Sequence, residues 1–319
     1  MRAVRYHEYG GGDVLGVDEV DRPSPDADEV LVEMRAASVN PVDVMFRSGE
    51  YGDVPLPSIP GGDGAGVVAE VGEGVERFAV GDRVFASGMD RAEGGTCAEY
   101  AAITETKLAH LPEDVSFEGG AAIANVGATA WTALEEVAGI QAGDRVLIHG
   151  GAGGVGHAAV QIASASGAEV IATAGSETAR ERVRELGADT VLDYDSDTLA
   201  EDVLAASDGE SVETVLDHRL QAYLELDLEV LTENGQLVCL MGNIPDASGV
   251  PFYTKEITVQ ALRMDNHPVR APKLRRLVRL MERDELTPVV ADTYDFEDIA
   301  QAQQDVLVGG YVGKLVVTP

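Results

Sequence analysis

Residues 145 to 156 read Arg-Val-Leu-Ile-His-Gly-Gly-Ala-Gly-Gly-Val-Gly, and this segment constrains the fold more than any other in the chain. Val146, Leu147 and Ile148 predict a short buried strand, while Ala158, Ala159, Val160, Ile162 and Ala163 continue as a helix that ends near Gly167. A second strand follows at Val170-Ile171-Ala172-Thr173. Strand, glycine turn, helix and strand in this order build a parallel βαβ unit. Glycine at the turn permits close backbone approach to a pyrophosphate, which the N-terminus of the next helix attracts. Such turns also join strands to helices without binding anything, and here the flanking strand and helix favour the site. Gly150, Gly151, Ala152, Gly153, Gly154, Val155 and Gly156 are therefore the candidate residues for a dinucleotide.

The end of the second strand reports which nicotinamide cofactor suits the site, because a carboxylate there bonds the ribose 2'-hydroxyl and repels a 2'-phosphate. This chain has Ala174-Gly175-Ser176, with no acid, and Arg180 one helical turn further on. Ser176 donates a hydrogen bond and Arg180 pairs with phosphate, so NADP(H) is favoured over NAD(H). The alternative is that Arg180 is a solvated helix residue beside Glu177 and Glu181.

Strand candidates at 145–149, 169–173, 190–192, 212–216, 236–241 and 257–262 alternate with helical segments. Six strands in that rhythm predict one doubly wound parallel sheet, an α/β Rossmann domain spanning 124–264. The first 120 residues instead hold short valine-rich segments broken by Gly, Pro and Asp, such as Glu29-Val30-Leu31-Val32-Glu33-Met34, and predict an antiparallel, barrel-like domain. After Asn266 a basic helix near 273–283, a helix near 296–308 and a strand at 314–317 are expected to rejoin it. The division is 1–123 with 265–319 against 124–264, with the active site expected in the cleft between the domains.

Acidic residues number 56 against 23 basic ones, a formal charge of −33 spread along the whole chain rather than gathered in a tail. Self-repulsion of that size favours a screening medium, and the composition is similar to that of proteins from extreme halophiles. It also disfavours nucleic acid as a partner. No stretch of eighteen apolar residues and no signal-peptide core is found, so a cytoplasmic protein with no membrane partner is expected. Cys97 and Cys239 have no metal-ligand spacing and are expected to be small buried hydrophobes.

Further segments agree in order along nearly the whole chain: Ser38-Val39-Asn40-Pro41-Val42-Asp43, Arg47-Ser48-Gly49-Glu50-Tyr51, 60–68, Gly81-Asp82-Arg83-Val84-Phe85, the glycine turn and Gly313-Lys314. With these the sequence resembles the zinc-free quinone oxidoreductase branch, which includes zeta-crystallin, of the medium-chain dehydrogenase/reductase superfamily. The resemblance implies a GroES-like catalytic domain beside the Rossmann domain. The zinc ligands of the superfamily's alcohol dehydrogenases are replaced, Asn40 standing for the cysteine, Gly62 for the histidine and Val126-Gly127 at the third position. Without sulfur or imidazole there, neither a tetrahedral zinc site nor any other metal is expected.

What the resemblance then implies is hydride delivery from NADPH to an already electrophilic small molecule, a quinone first and an enone or enoyl double bond as the alternative. A non-catalytic NADPH-binding sensor or crystallin-like protein is the reading from another class. Asn40, near the nicotinamide ribose, and Tyr51, lining the acceptor pocket, are the candidate catalytic residues, although Asn40 also suits a helix cap before Pro41 and Tyr51 a packed aromatic. Met45 replaces a frequent tyrosine and makes the pocket more apolar, and Phe252 and Tyr253 are expected to narrow it. Thr129, Tyr194, Met241, Gly242 and Lys314 complete the implied cofactor contacts. Asp217-His218-Arg219 departs from the small residues usual at that point, and a surface turn is the expectation there. Pairing of the strand at 256–261 across a two-fold axis would give a homodimer.

Overall fold

Two hydrophobic patterns divide the chain, and its structure follows them. The computed structural model describes residues 1–89, 94–240 and 250–319, with the side chains of residues 250 and 251 left aside. One unit comprises Met1–Ala128, His267–Glu282 and Pro288–Pro319, and the other comprises Thr129–Asn266 with Arg283–Thr287.

The first unit opens with an antiparallel pair, β1 (Arg2–Tyr6) and β2 (Leu15–Glu19). It continues through β3 (Glu29–Ser38), α1 (Pro41–Ser48), β4 (Asp63–Val71), β5 (Arg83–Ser87), β6 (Tyr100–Thr104), β7 (Leu108–His110) and α2 (Phe117–Trp131). β4 runs along β3 from Val30 to Ala37, and the register shifts twice, between Leu31 and Val32 and between Met34 and Ala36. Each such bulge bends a sheet. With β4 on one edge, the other edge of β3 is shared by β6 over its first half and, near Ser38, by a strand from the far end of the chain. This bent antiparallel sheet is the barrel-like pattern read from the valine-rich segments. Val30, Val32, Met34, Val68, Phe78, Val84 and Ile103 fill one core cluster beneath it.

The second unit holds β8 (Arg145–Ile148), α3 (Gly154–Ala165), β9 (Glu169–Ala174), α4 (Glu177–Glu185), β10 (Thr190–Asp193), α5 (Leu199–Ala206), β11 (Val212–Asp217), α6 (Leu220–Val230), β12 (Leu231–Cys239), α7 (Val250–Lys255) and β13 (Thr258–Ala261). The sheet order is β10-β9-β8-β11-β12-β13 and every pairing is parallel. Val146, Leu147, Ile148, Val170, Ile171 and Val215 are wholly buried, as strands covered on both faces require. The expected six-stranded doubly wound sheet is therefore present.

The chain then returns to the first unit through α8 (Ala271–Met281), β14 (Val290–Asp295), α9 (Ile299–Val308) and β15 (Lys314–Thr318). Leu274, Leu277 and Met281 form the buried stripe of α8, while Arg275, Arg276 and Arg279 stay exposed. β15 pairs in parallel with β14 and antiparallel with the end of β3, which places Lys314 at the start of an interior strand. Cys97 and Cys239 are both buried, and neither is in a disulfide.

Candidate active site

Because all six strands of the second unit are parallel, everything that follows a strand lies on one edge of the sheet. The chain leaves β8 toward β9 and β10 and then returns to β11 on the other side of β8. That reversal is where a doubly wound sheet opens a crevice for a ligand. The glycine turn lies at this point. Gly150 N donates to Thr173 Oγ1 at 3.0 Å and Gly151 N to the Thr173 carbonyl at 2.8 Å, so the turn is tied to the end of β9. Gly150 has φ +67°, a conformation that L side chains rarely adopt. A Cβ on Gly156 would lie 2.0 Å from the Gly150 carbonyl oxygen, so only glycine lets α3 start this close to the strand. Gly153 precedes the helix with extended backbone and no side chain caps it. The first-turn N–H groups of α3 are left for an anion. Gly151 and Gly156 are buried, whereas Ala152, Gly153, Gly154 and Val155 reach the surface.

The next two strands bring the remaining cofactor candidates together. The Tyr194 side chain, following β10, lies over Gly175, where an added Cβ would stand 2.3 Å from the tyrosine hydroxyl. Ser176 caps α4, its Oγ accepting from Ala179 N at 3.2 Å. Arg180 is held between two carboxylates, at 2.8 Å from Glu177 and 2.7 Å from Asp193, and also donates to the Ala174 and Gly175 carbonyls. Its partners are thus Glu177 and Asp193 rather than Glu177 and Glu181. Both carboxylates are held below their usual pKa, Glu177 by Arg180 and Asp193 by the Asp195 N–H and Arg180.

Behind the turn is a buried polar cluster that the motif alone did not announce. His149, directly after β8, has no exposed side-chain surface, and its Nε2 is 2.9 Å from Asp227 Oδ1 on α6. The imidazole stacks on Tyr223 at 4.2 Å between ring centroids. Asp217, the last residue of β11, is fully buried and accepts the Arg219 N–H at 2.6 Å. Burial drives the cluster: it pushes the Asp217 carboxyl up to about 6, helped by neighbouring Asp227, raises Asp227 further, and pushes His149 down to about 4. Burial thus favours the neutral form of both carboxyl groups, and the nearness of Asp227 adds to it at Asp217. His218 does face the surface, as a turn residue should, yet a Cβ on Gly150 would stand 2.7 Å from its Cε1, so the ring covers the glycine turn. Asp227 had a sequence signal after all: it falls on the apolar stripe Leu220, Leu224 and Leu228 of α6.

In the first unit Asn40 is the N-cap of α1, in a capping box with Asp43, and its amide also meets two buried partners. Nδ2 donates to Asp63 Oδ1 at 2.8 Å, and Oδ1 accepts from Lys314 Nζ at 2.9 Å. Asp43, three residues on, accepts the Asn40 backbone N–H at 2.8 Å, a structural role. Lys314, expected beside the ribose or phosphates, is instead enclosed in the interior, where its ammonium also donates to the Val39 carbonyl. Tyr51 is half-buried and packs edge-on against Phe46 at 5.0 Å, and its backbone N–H reaches the Met45 carbonyl, so Met45 and Tyr51 share the C-terminal end of α1. Thr129 is buried on α2. Phe252, on α7, packs against the core of the second unit, while Tyr253 beside it is 87% exposed. Met241 and Gly242 lie outside the described residues.

Comparison with known proteins bears on both units. Residues 26–113 match the alcohol dehydrogenase GroES-like domain, and residues 154–283 match the zinc-binding dehydrogenase family. A quinone oxidoreductase from Lama guanicoe is 34% identical over 323 residues, covering 99% of this chain and 97% of that protein. The chain belongs to the quinone oxidoreductase branch of the medium-chain dehydrogenase/reductase superfamily. Among solved structures, an NAD-dependent alcohol dehydrogenase superposes with a TM-score of 0.93 at 31% identity over the full length of both chains. Escherichia coli quinone oxidoreductase complexed with NADPH gives 0.90 at 28% identity, again over both full lengths.

The name of the second matching family refers to zinc, and the donor at Asn40 is a side-chain amide rather than sulfur or imidazole. Where the ligand set would begin, the Asn40 amide is already engaged by the Lys314 ammonium and the Asp63 carboxylate. Among the described residues no group of three or more His, Cys, Asp or Glu side chains is placed to hold a metal.

Proposed function

We propose that this protein reduces quinones with NADPH, by hydride transfer and without a metal ion. The observation that carries the reading is the uncapped, glycine-lined start of α3 at the switch point of a parallel sheet, in a chain alike over its whole length to a quinone oxidoreductase. The cofactor, when bound, supplies the hydride; a quinone, two carbonyls in conjugation, needs no Lewis acid to accept it.

The residues of the chain then have separate tasks. The first-turn N–H groups of α3 hold the diphosphate, those of Gly151 and Gly153 being tied into the turn itself. Gly175, Ser176 and Tyr194 cradle the adenosine end, and Arg180, already gathered at that end, supplies the cation for a 2'-phosphate. Thr129, Met241 and Gly242 serve the nicotinamide end. The remaining N–H of Asn40 donates toward the nicotinamide ribose and the acceptor oxygen, where negative charge develops, and Tyr51 and Met45 belong to the acceptor pocket. Lys314 serves indirectly, through Asn40.

The same reading makes the protein a cytoplasmic homodimer whose acidic surface suits high salt. β13 supports the dimer, being the last strand of its sheet with exposed side chains along it. No described helix is long and apolar enough to cross a membrane.

The test is NADPH oxidation with a panel of quinones and enones, in low and in molar salt, with and without a chelator. Quinone-dependent turnover indifferent to the chelator is expected. Turnover with enones alone transfers the assignment to double-bond reduction. Loss of activity on chelation refutes the metal-free mechanism, and NADPH binding without turnover of any acceptor refutes the enzyme.

A further inference from the structure

We propose that Lys314 and Asp63 are positioning residues that fix the polarity of the Asn40 amide, so that Asn40 faces the reactants only as a hydrogen-bond donor. The inference rests on the reading of Asn40 given above and deepens it.

The two ends of an asparagine amide look alike in shape and differ only in chemistry. An ammonium carries three N–H groups and no acceptor, so whatever it meets must be the amide oxygen. An ionised carboxylate only accepts, so whatever it meets must be the amide nitrogen. Lys314 Nζ lies 2.9 Å from one end of Asn40 and Asp63 Oδ1 lies 2.8 Å from the other. The two neighbours therefore impose the same orientation independently. A flipped amide would set N–H against ammonium and oxygen against carboxylate.

The backbone is pinned as well. Asp43 takes the Asn40 N–H, and Lys314 takes the carbonyl of Val39, the preceding residue. Asn40 and Lys314 are both buried, and Asp63 is completely so. Within this frame the amide nitrogen still owns a second hydrogen after serving Asp63. A group with one directed N–H favours an acceptor oxygen that gains negative charge over any donor brought to the same place. Only four lysines occur in the whole chain, and this one is placed in the interior, touching a candidate catalytic side chain rather than solvent.

The test compares Lys314→Met, Lys314→Arg, Asn40→Ala and the Lys314→Met/Asn40→Ala double variant, using NADPH and 1,4-benzoquinone. Lys314→Met is expected to lower kcat by about tenfold or more while the NADPH dissociation constant stays within about twofold, because the lysine is enclosed in the interior and spends its hydrogen bonds on Val39 and Asn40. Lys314→Arg, which restores a cationic donor, should recover most of that loss. In the Asn40→Ala background Lys314→Met should slow the reaction no further, since there is no amide left to orient. Equal slowing in both backgrounds, or a kcat untouched by Lys314→Met, overturns the proposal. If Lys314→Met does not fold, Asp63→Asn probes the other end of the amide, with the same non-additivity expected and additive slowing as the refuting result. An unchanged kcat in Asn40→Ala sinks the assignment of Asn40 itself, whatever Lys314 does.

Discussion

Two glycines three residues apart in the same turn should fail in opposite ways. At Gly156 a methyl group would stand 2.0 Å from the Gly150 carbonyl oxygen and 2.8 Å from the Gly150 carbonyl carbon and the Gly151 Cα, all of them backbone. Ordinary contacts need more than 3 Å, so strand end and helix must part by about 1 Å in a packed interior, an overpacking cost of ~3 kcal/mol. For a unit of this size each kcal/mol moves Tm by ~2–4 °C, and Gly156→Ala should melt ~6–12 °C lower. At Gly153 the nearest atom to an added Cβ is the Gly150 oxygen at 3.2 Å, and the backbone at φ −72°, ψ 175° accepts a branched residue. Gly153→Val should therefore cost no more than ~1 kcal/mol in stability. Its methyl groups, however, would occupy the place of the diphosphate. Losing two charge-assisted N–H bonds at ~1.5–3 kcal/mol each weakens NADPH binding by at least ~100-fold. Calorimetric titration with NADPH and thermal melts of both variants read the two effects separately. Native-like affinity in Gly153→Val, or a native Tm in Gly156→Ala, would show that the phosphates or the turn have been misassigned.

Other expectations follow from the buried cluster, the arginine clamp and the surface charge. The raised Asp217 carboxyl means that the folded state holds a proton the unfolded chain releases near pH 4, so its contribution to stability falls as pH rises from about 4 to about 6, by ~3 kcal/mol in all. His149, lowered from 6.5 to about 4, acts in the opposite sense over the same window and masks this slope. Asp217→Asn should thus gain on the native protein by ~3 kcal/mol between pH 4 and pH 7 in urea unfolding, and a pH-independent difference would contradict the assignment. Arg180→Ala should raise KM for NADPH by tenfold or more and leave KM for NADH within about twofold, both measured by initial rates; equal effects on the two would remove Arg180 from the phosphate site. Stability should climb as salt is raised from ~0.1 M to the molar range, and a melting temperature indifferent to salt would refute a role for screening the −33 charge.

Much of the fold is written locally. The glycine turn, the six strands and α3 all rest on apolar runs and breakers within a few residues of one another. β12 shows where that reading stops: Glu233-Asn234-Gly235 looks like a turn, so the strand seems to begin at 236, yet the ladder with β11 extends back to Leu231 through a register shift. β14 gave no apolar alternation because it is an edge strand with exposed Asp292 and Asp295, and it pairs only with β15. At the site, Gly150 to Gly156 were legible because the turn carries its own geometry. The surroundings of Asn40 were not, since Asp63 and Lys314 reach it from 23 and 274 residues away. Arg180 shows an intermediate case, with Glu177 visible as a helical neighbour and Asp193 supplied by the next strand.

The pairing of β15 with β3 also dictates an order of completion on the ribosome. Every residue of the second unit has been made once Thr287 is added, while the first unit still waits for α9 and for β15. The part synthesised first is thus finished last, and until then part of one edge of β3 stays open on the nascent chain. Removing β15 would consequently leave that edge of β3 bare while every residue of the second unit stays in place.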